Sequence, residues 1–328
     1  MQTFSIPRVF RAAGDNMEMT ELGNSGIKIS RLGLGAWQAG GKQWGKDVRE
    51  KDCIAAIVKA HELGINLIDT AEVYGKGHSE EVVAKALKKI GRDKMFVATK
   101  VAGSHLGHDD VIKACEHSLK RLGIDSIDLY QVHWPGVWEQ VPLKETMKAL
   151  ETLHKRGKIR AIGVSNFAVR DLEEARAALS SADVVSDQVQ YSMIHREIEK
   201  EVLPYCQKEK VTVLAWGPLG EGALTGKYTK GKTPKDSVRD DHHFFRPRNI
   251  VRITSLVKVL ERVGKVHGKS AAQVALNWLM MKDRVVPIPG AKTPIQAEHN
   301  AGAHGWSLTT REMSRLDRAI KSLRLDTF

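Results

Sequence analysis

Cysteine is scarce in this chain: Cys53, Cys115 and Cys206 stand far apart among 328 residues. An odd, scattered set has neither metal-ligand spacing nor the density of a disulfide scaffold, so reduced thiols and a cytoplasmic location are expected. Long apolar runs are missing too. No stretch approaches the roughly 20 residues of a membrane helix, so no membrane partner is expected. The Gly-x-Gly-x-x-Gly turn of an open dinucleotide fold is absent, GLGAWQAGG at 33–41 being a poor match. No low-complexity segment divides the chain. His and Asp meet at HDDV (108–111) and DDHHFF (240–245), but neither cluster has a matching partner, so no metal is expected.

What is present suits a large soluble core: 42% of residues are hydrophobic and 27% charged. The net charge is +12, yet the basic residues are dispersed, with no aromatic interleaving. That pattern predicts a solvated surface that helps an anionic ligand approach, not a nucleic-acid interface. Residues 1–16 carry Arg8 and Arg11 but no apolar signal core, and read as a flexible extension. Residues 17–328 read as a single domain.

Short β-rich runs alternate with helical stretches. The predicted strands are RLGLGAW (31–37), INLIDT (65–70), MFVATK (95–100), DLYQVHW (128–134), AIGVSN (161–166), VSDQVQY (185–191), VTVLAW (211–216) and VVPIPG (285–290). Between them, EKDCIAAIVKAHELG (50–64) has apolar residues on one helical face, and SEEVVAKALKKIG (79–91) reads as a helix with a Ser cap and a Gly stop. Eight such units predict an α/β fold, a closed (β/α)8 TIM barrel. MTELGNSGIKIS (19–30) reads as an N-terminal β-hairpin that closes the barrel bottom. The interval after strand seven is much longer than the others. Its polar segment 226–249 predicts a long loop serving as lid or clamp.

In such a barrel the active site lies where the strands end. Strand two ends in Asp69-Thr70, strand three in Lys100 and strand four in His133-Trp134. Strand five ends in Ser165-Asn166, strand six in Gln188-Val189-Gln190-Tyr191 and strand seven in Trp216. Asp69 and Lys100 each follow an apolar run, and buried charges are costly unless paired, so a Lys–Asp ion pair on neighbouring strands is expected. Tyr74, on the loop after strand two, can lean back onto the ammonium. The positive charge would then lower a phenol pKa that starts near 10, giving a general acid usable at neutral pH. His133 adds a donor for a substrate oxygen. Each residue alone has a bland reading as a cap, rim aromatic or core histidine; convergence on consecutive strands points to proton transfer.

At these residues the sequence resembles the aldo-keto reductase superfamily. The carrying motifs are GINLIDTAEVYG, VATK, DLYQVHWP, GKIRAIGVSNF and QVQYS, and the likeness spans about residues 19–323. LAWGPLGEGALTGKY and IPGAKTP are similar to the general reductase branch of bacterial and archaeal type. The resemblance implies an NAD(P)H-dependent oxidoreductase that reduces aldehydes and ketones to alcohols. Asp69, Tyr74, Lys100 and His133 would be its catalytic tetrad. Ser165, Asn166 and Gln188 would grip the nicotinamide carboxamide, and Trp216 would stack on its ring. Gly217, Pro218, Leu219 and Gly220 would bring backbone N–H groups to the pyrophosphate. The stretch after strand eight, with Gly290, Lys292, Gln296 and Asn300, would hold the adenosine, on a helix starting at Pro294. The family's usual Lys-Ser and Arg, which the resemblance would set on the 2′-phosphate of NADPH, are replaced there by Gly290, Ala291 and Gln296, leaving Lys292 as the substitute cation. NADPH is expected, with NADH open. Trp37, Trp44, Val73, Trp134 and Trp138 are candidate pocket walls, pointing to a small apolar or aromatic carbonyl substrate. A monomer or weak oligomer is expected. Two alternatives remain at this point: a cofactor-binding redox-sensing regulatory subunit, and another barrel enzyme using Lys100 as a Schiff base.

Overall fold

The structure, a computed structural model, describes residues 17–45, 48–136, 141–228 and 231–326. The expected extension (1–16) and Trp138 lie outside the described residues. The first described elements form a hairpin of β1 (Met19–Glu21) and β2 (Lys28–Ser30). β3 (Leu34–Gly35) then begins an eight-stranded parallel sheet. Along the chain follow α1 (Glu50–Glu62), β4 (Leu67–Asp69), α2 (His78–Ile90), β5 (Phe96–Val101), α3 (His108–Leu122), β6 (Ile127–Val132) and α4 (Leu143–Lys155). Next come β7 (Ile159–Ser165), α5 (Val169–Ala177), β8 (Val184–Gln190), α6 (Val202–Lys208) and β9 (Thr212–Trp216). The chain finishes with α7 (Pro247–His267), α8 (Ala271–Met280), β10 (Val285–Pro287), α9 (Pro294–Ala301) and α10 (Thr310–Lys321).

Closure joins the first and last strands of the sheet. Gly33 N–H donates to Pro287 O at 2.9 Å and Gly35 N–H to Pro289 O at 3.1 Å. All six residues of β5 and of β6 are buried, as strands covered on both faces must be. Outside the barrel they meet the helices; inside, Leu67, Phe96, Ala98, Leu129, Leu214 and Val286 form a separate apolar cluster. Leu22 and Ile29 of the hairpin belong to this inner cluster and plug the bottom. The plug is tied down where Gly23 N–H donates to Thr212 Oγ1 at 2.7 Å.

Side chains alternate along a strand, so the residue two beyond each inner apolar one also faces inward. Leu67 is followed by Asp69, Ala98 by Lys100 and Leu129 by Gln131, which makes the layer above the apolar core polar. Gly163 makes room for it: a Cβ there would lie 2.5 Å from Ser186 Oγ and 2.9 Å from Gln131 Cγ.

Helix ends follow the chemistry of their termini. Thr309 with Glu312, and Ser270 with Gln273, form capping boxes at α10 and α8. One sequence expectation is corrected. Ser79 is not the cap of α2; Gly77, in a left-handed conformation, precedes the helix. Ser79 is buried within the first turn, donating to Ala36 O at 2.7 Å and accepting from Thr70 Oγ1 at 2.8 Å. It thereby joins the loops after β3 and β4. The three cysteines are buried on α1, α3 and α6. Among the described residues, no helix is long and apolar enough to cross a membrane.

Candidate active site

A cavity of about 680 Å³ opens at the C-terminal ends of the strands. Lys100 lies fully buried at its base, and all three of its ammonium donors are used. They reach Asp69 Oδ1 at 2.6 Å, Thr70 O at 2.8 Å and the Tyr74 hydroxyl at 3.2 Å. A lysine so committed is an ammonium ion and a poor Schiff-base nucleophile. The second Asp69 oxygen accepts from Gln188 Nε2 at 2.8 Å and Gln131 Nε2 at 3.2 Å. Both oxygens of the carboxylate therefore face donors, which is what lets a buried charge persist.

Burial disfavours the Lys100 ammonium, but the Asp69 charge, Tyr74 and the bonds to both outweigh it and raise the pKa above the usual lysine value. Tyr74 departs from expectation. Its hydroxyl sits on Lys100 as the sequence suggested, yet its pKa is raised. Burial is the largest cause. The Lys100 charge and hydrogen bond pull the other way, while Asp69 and Glu221 add to the rise. Lys100 thus limits the rise without reversing it, and Tyr74 holds its proton at neutral pH. Since the phenol oxygen accepts from Lys100, its own hydrogen is left to donate toward a substrate. His133 packs edge-on to the Tyr74 ring at 5.6 Å. Burial, then the Lys100 charge, pushes its pKa down to about 3, so it is a neutral imidazole.

On the far side, Asn166 Nδ2 donates to His133 O at 3.1 Å and Ser165 Oγ at 2.9 Å, while its Oδ1 accepts from Trp216 Nε1 at 3.1 Å. Asn166 holds a positive φ of 63°, which asparagine tolerates. Ser165 Oγ donates to Gln188 O at 2.7 Å. With their donors spent, Ser165, Asn166 and Gln188 offer mainly acceptor lone pairs to the cavity.

The cavity is lined by Asp69, Tyr74, His133, Ser165, Asn166, Gln188, Trp216, Gly217, Pro218, Leu219, Gly290, Lys292, Gln296 and Asn300. Trp37, Trp44, Val73 and Trp134 also line it. Gly220 is the exception: its N–H donates to Gly217 O at 2.9 Å, and it does not line the cavity. The Lys292 ammonium donates to Trp44 O. Gln296 Oε1 accepts from Lys292 N–H at 2.7 Å, and Asn300 Nδ2 donates to Gly290 O at 3.2 Å. Trp37 meets Trp44 edge-on at 4.7 Å and stacks over Tyr74 at 5.9 Å.

Several residues in and around the cavity escaped sequence reasoning. Gln131 was detectable, since it alternates with Leu129 and His133 on the inner face. Gln38, Glu221 and Arg239 carried no local signal. The loop between β9 and α7 does lie over the site. Arg239 donates to Asp236 Oδ2 at 2.9 Å and the Tyr228 hydroxyl at 2.9 Å, and lies 5.5 Å over the Trp44 ring. Ser237 Oγ donates to Gln43 O at 3.2 Å. Burial pushes the Glu221 carboxyl up to about 7, with Arg239 opposing.

A buried lysine–tyrosine pair at the base of a cavity defines a barrel enzyme able to move a proton at the C-terminal rim of its strands. The model of the Aldo/keto reductase family matches residues 31–321. An aldo-keto reductase of Bacillus subtilis, YhdN, is 38% identical, the alignment covering 93% of this chain and 94% of the relative. An NADH-specific methylglyoxal reductase of Escherichia coli is 32% identical over 94% of this chain and 99% of its own length. Among solved structures, a glycerol dehydrogenase from Gluconobacter oxydans superposes with a TM-score of 0.83 at 34% identity, covering 94% of this chain and 96% of that one. An aldo-keto reductase from Klebsiella pneumoniae in complex with NADPH gives 0.76 at 29% identity, covering 95% and 99%. This chain belongs to the aldo/keto reductase family and is an NAD(P)H-dependent carbonyl reductase.

The residues present fit that cofactor. Acceptor lone pairs on Ser165, Asn166 and Gln188 suit the carboxamide NH2. Gln38 Oε1 and Trp44 Nε1 are buried without a partner in the walls of the same cavity, one an acceptor and one a donor. Gly290 has no side chain to spare: a Cβ there would meet Gln38 Oε1 at 2.1 Å.

Proposed function

We propose that Tyr74 is the general acid of carbonyl reduction and the base of the reverse reaction. In this reading Lys100 and Asp69 support Tyr74, and His133 orients the substrate oxygen. The observation that carries it is the Tyr74 hydroxyl 3.2 Å from a lysine ammonium that is itself 2.6 Å from a buried carboxylate. A bound nicotinamide supplies the hydride. Tyr74 donates its proton to the carbonyl oxygen as that oxygen gains charge, and Lys100 stabilises the phenolate left behind. Neutral His133 donates a hydrogen bond to the same oxygen without competing as an acid. Ser165, Asn166 and Gln188 would hold the carboxamide, Trp216 would cover the ring, and the Gly217–Leu219 turn would face the pyrophosphate of a bound coenzyme.

Trp37, Val73 and Trp134 flank the tetrad, Val73 and Trp134 being half exposed at the mouth. That lining favours small aldehydes and ketones with an apolar or aromatic substituent. The methylglyoxal reductase relatives place small dicarbonyl compounds in the first panel to test. One domain spanning 17–328, acting as a monomer or weak oligomer in the cytoplasm, with NADPH used before NADH, completes the proposal. No observation favours the regulatory-subunit alternative.

The test is NADPH oxidation over a carbonyl panel, paired with a cofactor titration. Tyr74→Phe is expected to lower kcat by about 10²–10⁴-fold while the NADPH dissociation constant stays within about twofold. A Tyr74→Phe variant that keeps most of its rate would refute the assignment.

A further inference from the structure

The loop carrying Tyr74 is anchored by an acid that the tetrad does not include. Glu72 stands two residues before Tyr74, and its side chain is 9% exposed. Its Oε1 accepts from Ala102 N–H at 2.6 Å and lies 3.0 Å from His105 Nδ1. Its own N–H points to Lys100 O at 3.4 Å. Its Oε2 lies 4.0 Å from Arg121 Nη2. Arg121 in turn donates to Glu80 Oε2 at 2.5 Å and Ser118 Oγ at 3.1 Å. Glu80 is fully buried, and its Oε1 accepts from Thr99 Oγ1 at 2.7 Å.

These contacts bracket one residue. Thr99 precedes Lys100 on β5, Lys100 supplies the carbonyl, and Ala102 follows two residues later. All the charged partners lie outside the barrel, behind the strand that presents Lys100 inward. The loop of Tyr74 and the strand of Lys100 are therefore joined twice: inside by the Lys100–Tyr74 hydrogen bond, and outside by Glu72 and its partners. Lys100 and Tyr74 meet at 3.2 Å, long for a charge-assisted bond, so small changes in loop position bear on how well the ammonium supports the phenolate.

We propose that Glu72 is a positioning residue for the reaction: by holding Ala102 N–H and facing Arg121, it sets the spacing between Tyr74 and Lys100. This rests on the assignment of Tyr74 as proton donor. It is separable from it, because loss of Glu72 would weaken the Tyr74–Lys100 coupling and leave both groups in place. His105 and Arg121 from α3 and the loop before it, Glu80 from α2, and the Tyr130 hydroxyl are the other titratable or charged groups gathered around it.

The experiment compares Glu72→Ala and Glu72→Gln with the native chain. It reads kcat, the NADPH dissociation constant, thermal stability and the pH profile of alcohol oxidation, which needs the phenolate. Glu72→Ala is expected to lower kcat about tenfold or more, since small misplacements of reacting groups are costly. Its alkaline limb should move to higher pH, because a more distant ammonium stabilises the phenolate less. Cofactor affinity should stay within about twofold, as Glu72 is not in the cavity wall. Glu72→Gln keeps an acceptor for Ala102 N–H and should recover much of the rate. A purely structural role would lower thermal stability of both variants and leave the pH limb in place, and that result would overturn the proposal. If Glu72→Ala folds poorly, Glu72→Asp, which keeps the charge but shortens the reach to Ala102 N–H, gives the same reading. If Tyr74→Phe were itself active, the failure would lie in the proton-donor assignment and not in Glu72.

Discussion

Lys100 reaches Asp69 at 2.6 Å although the two are not opposite each other in the sheet. Asp69 pairs with Ala98, and Lys100 pairs with Gln131. The four-carbon stem spans that stagger and carries the ammonium back to the carboxylate, leaving its third donor for Tyr74.

Asp69 therefore serves two purposes, charge balance and the seating of Gln131 and Gln188. Asp69→Asn is expected to lower kcat by about 10²-fold. It should also cost about 3–5 kcal/mol of stability, since one partner of a buried ion pair is lost. Single-turnover reduction and thermal melts check both, and a variant with native melting would mean the charge is not needed to hold the layer.

The proton inventory makes a pH prediction. Tyr74 is held above the usual phenol value of about 10, and His133 titrates at about 3. Carbonyl reduction should then show no limb from His133, and a limb between about pH 5 and 8 would belong to the cavity carboxyl of Glu221, pushed up to about 7. Alcohol oxidation, which needs the phenolate, should keep rising with pH beyond about 8. His133 also adds a stability term: its folded pKa is depressed, so the unfolded chain binds more protons below about pH 6.5 and stability declines as pH falls from there toward about 3. His133→Gln, which keeps a neutral donor, should leave the shape of the reduction profile unchanged; a limb lost in that variant would put His133 in the titration.

Lys292 stood out in the sequence as the cation for a 2′-phosphate. In the structure its ammonium donates to Trp44 O. Lys292→Ala is expected to weaken NADPH and NADH by comparable factors, each about three- to tenfold. Isothermal titration with both coenzymes checks this, and a loss confined to NADPH would put the ammonium on the 2′-phosphate after all.

Asp187, on the outer face of β8, is buried, and its Oδ2 has no partner. Burial, aided by Asp171 and opposed by the Phe167 N–H, raises its pKa well above the carboxylate range. The folded chain thus keeps a proton that the unfolded chain loses above about pH 3.9. The sign follows from linkage: stability is full below that pH and falls as pH rises toward the folded pKa, by up to about 1.4 kcal/mol per unit. Asp187→Asn does not titrate. Its stability relative to the native chain should grow between about pH 5 and 8 in urea melts; a pH-independent difference would rule out the buried acid as the cause.

Much of this protein was legible in one dimension. Alternating strands and helices, the plugging hairpin, and Asp69, Lys100, His133 and Tyr74 near strand ends all follow from local periodicity and from the cost of burying a charge unpaired. Short-range signals sufficed because a parallel barrel brings every strand end to one rim. Other features depended on distant segments meeting. Ser79 looked like a cap, but its hydroxyl found Ala36 and Thr70. The pKa of Tyr74 rose because burial, which no motif states, outweighs the ammonium beside it. Gln131, Gln38, Arg239 and Glu72 act through partners 30 or more residues away or across a loop. The sequence alone determined which groups could do the chemistry. Only the tertiary structure decided which of their hydrogen-bonding sites are spent on one another and which are left for a ligand, because that depends on distances and desolvation that exist only after the barrel closes.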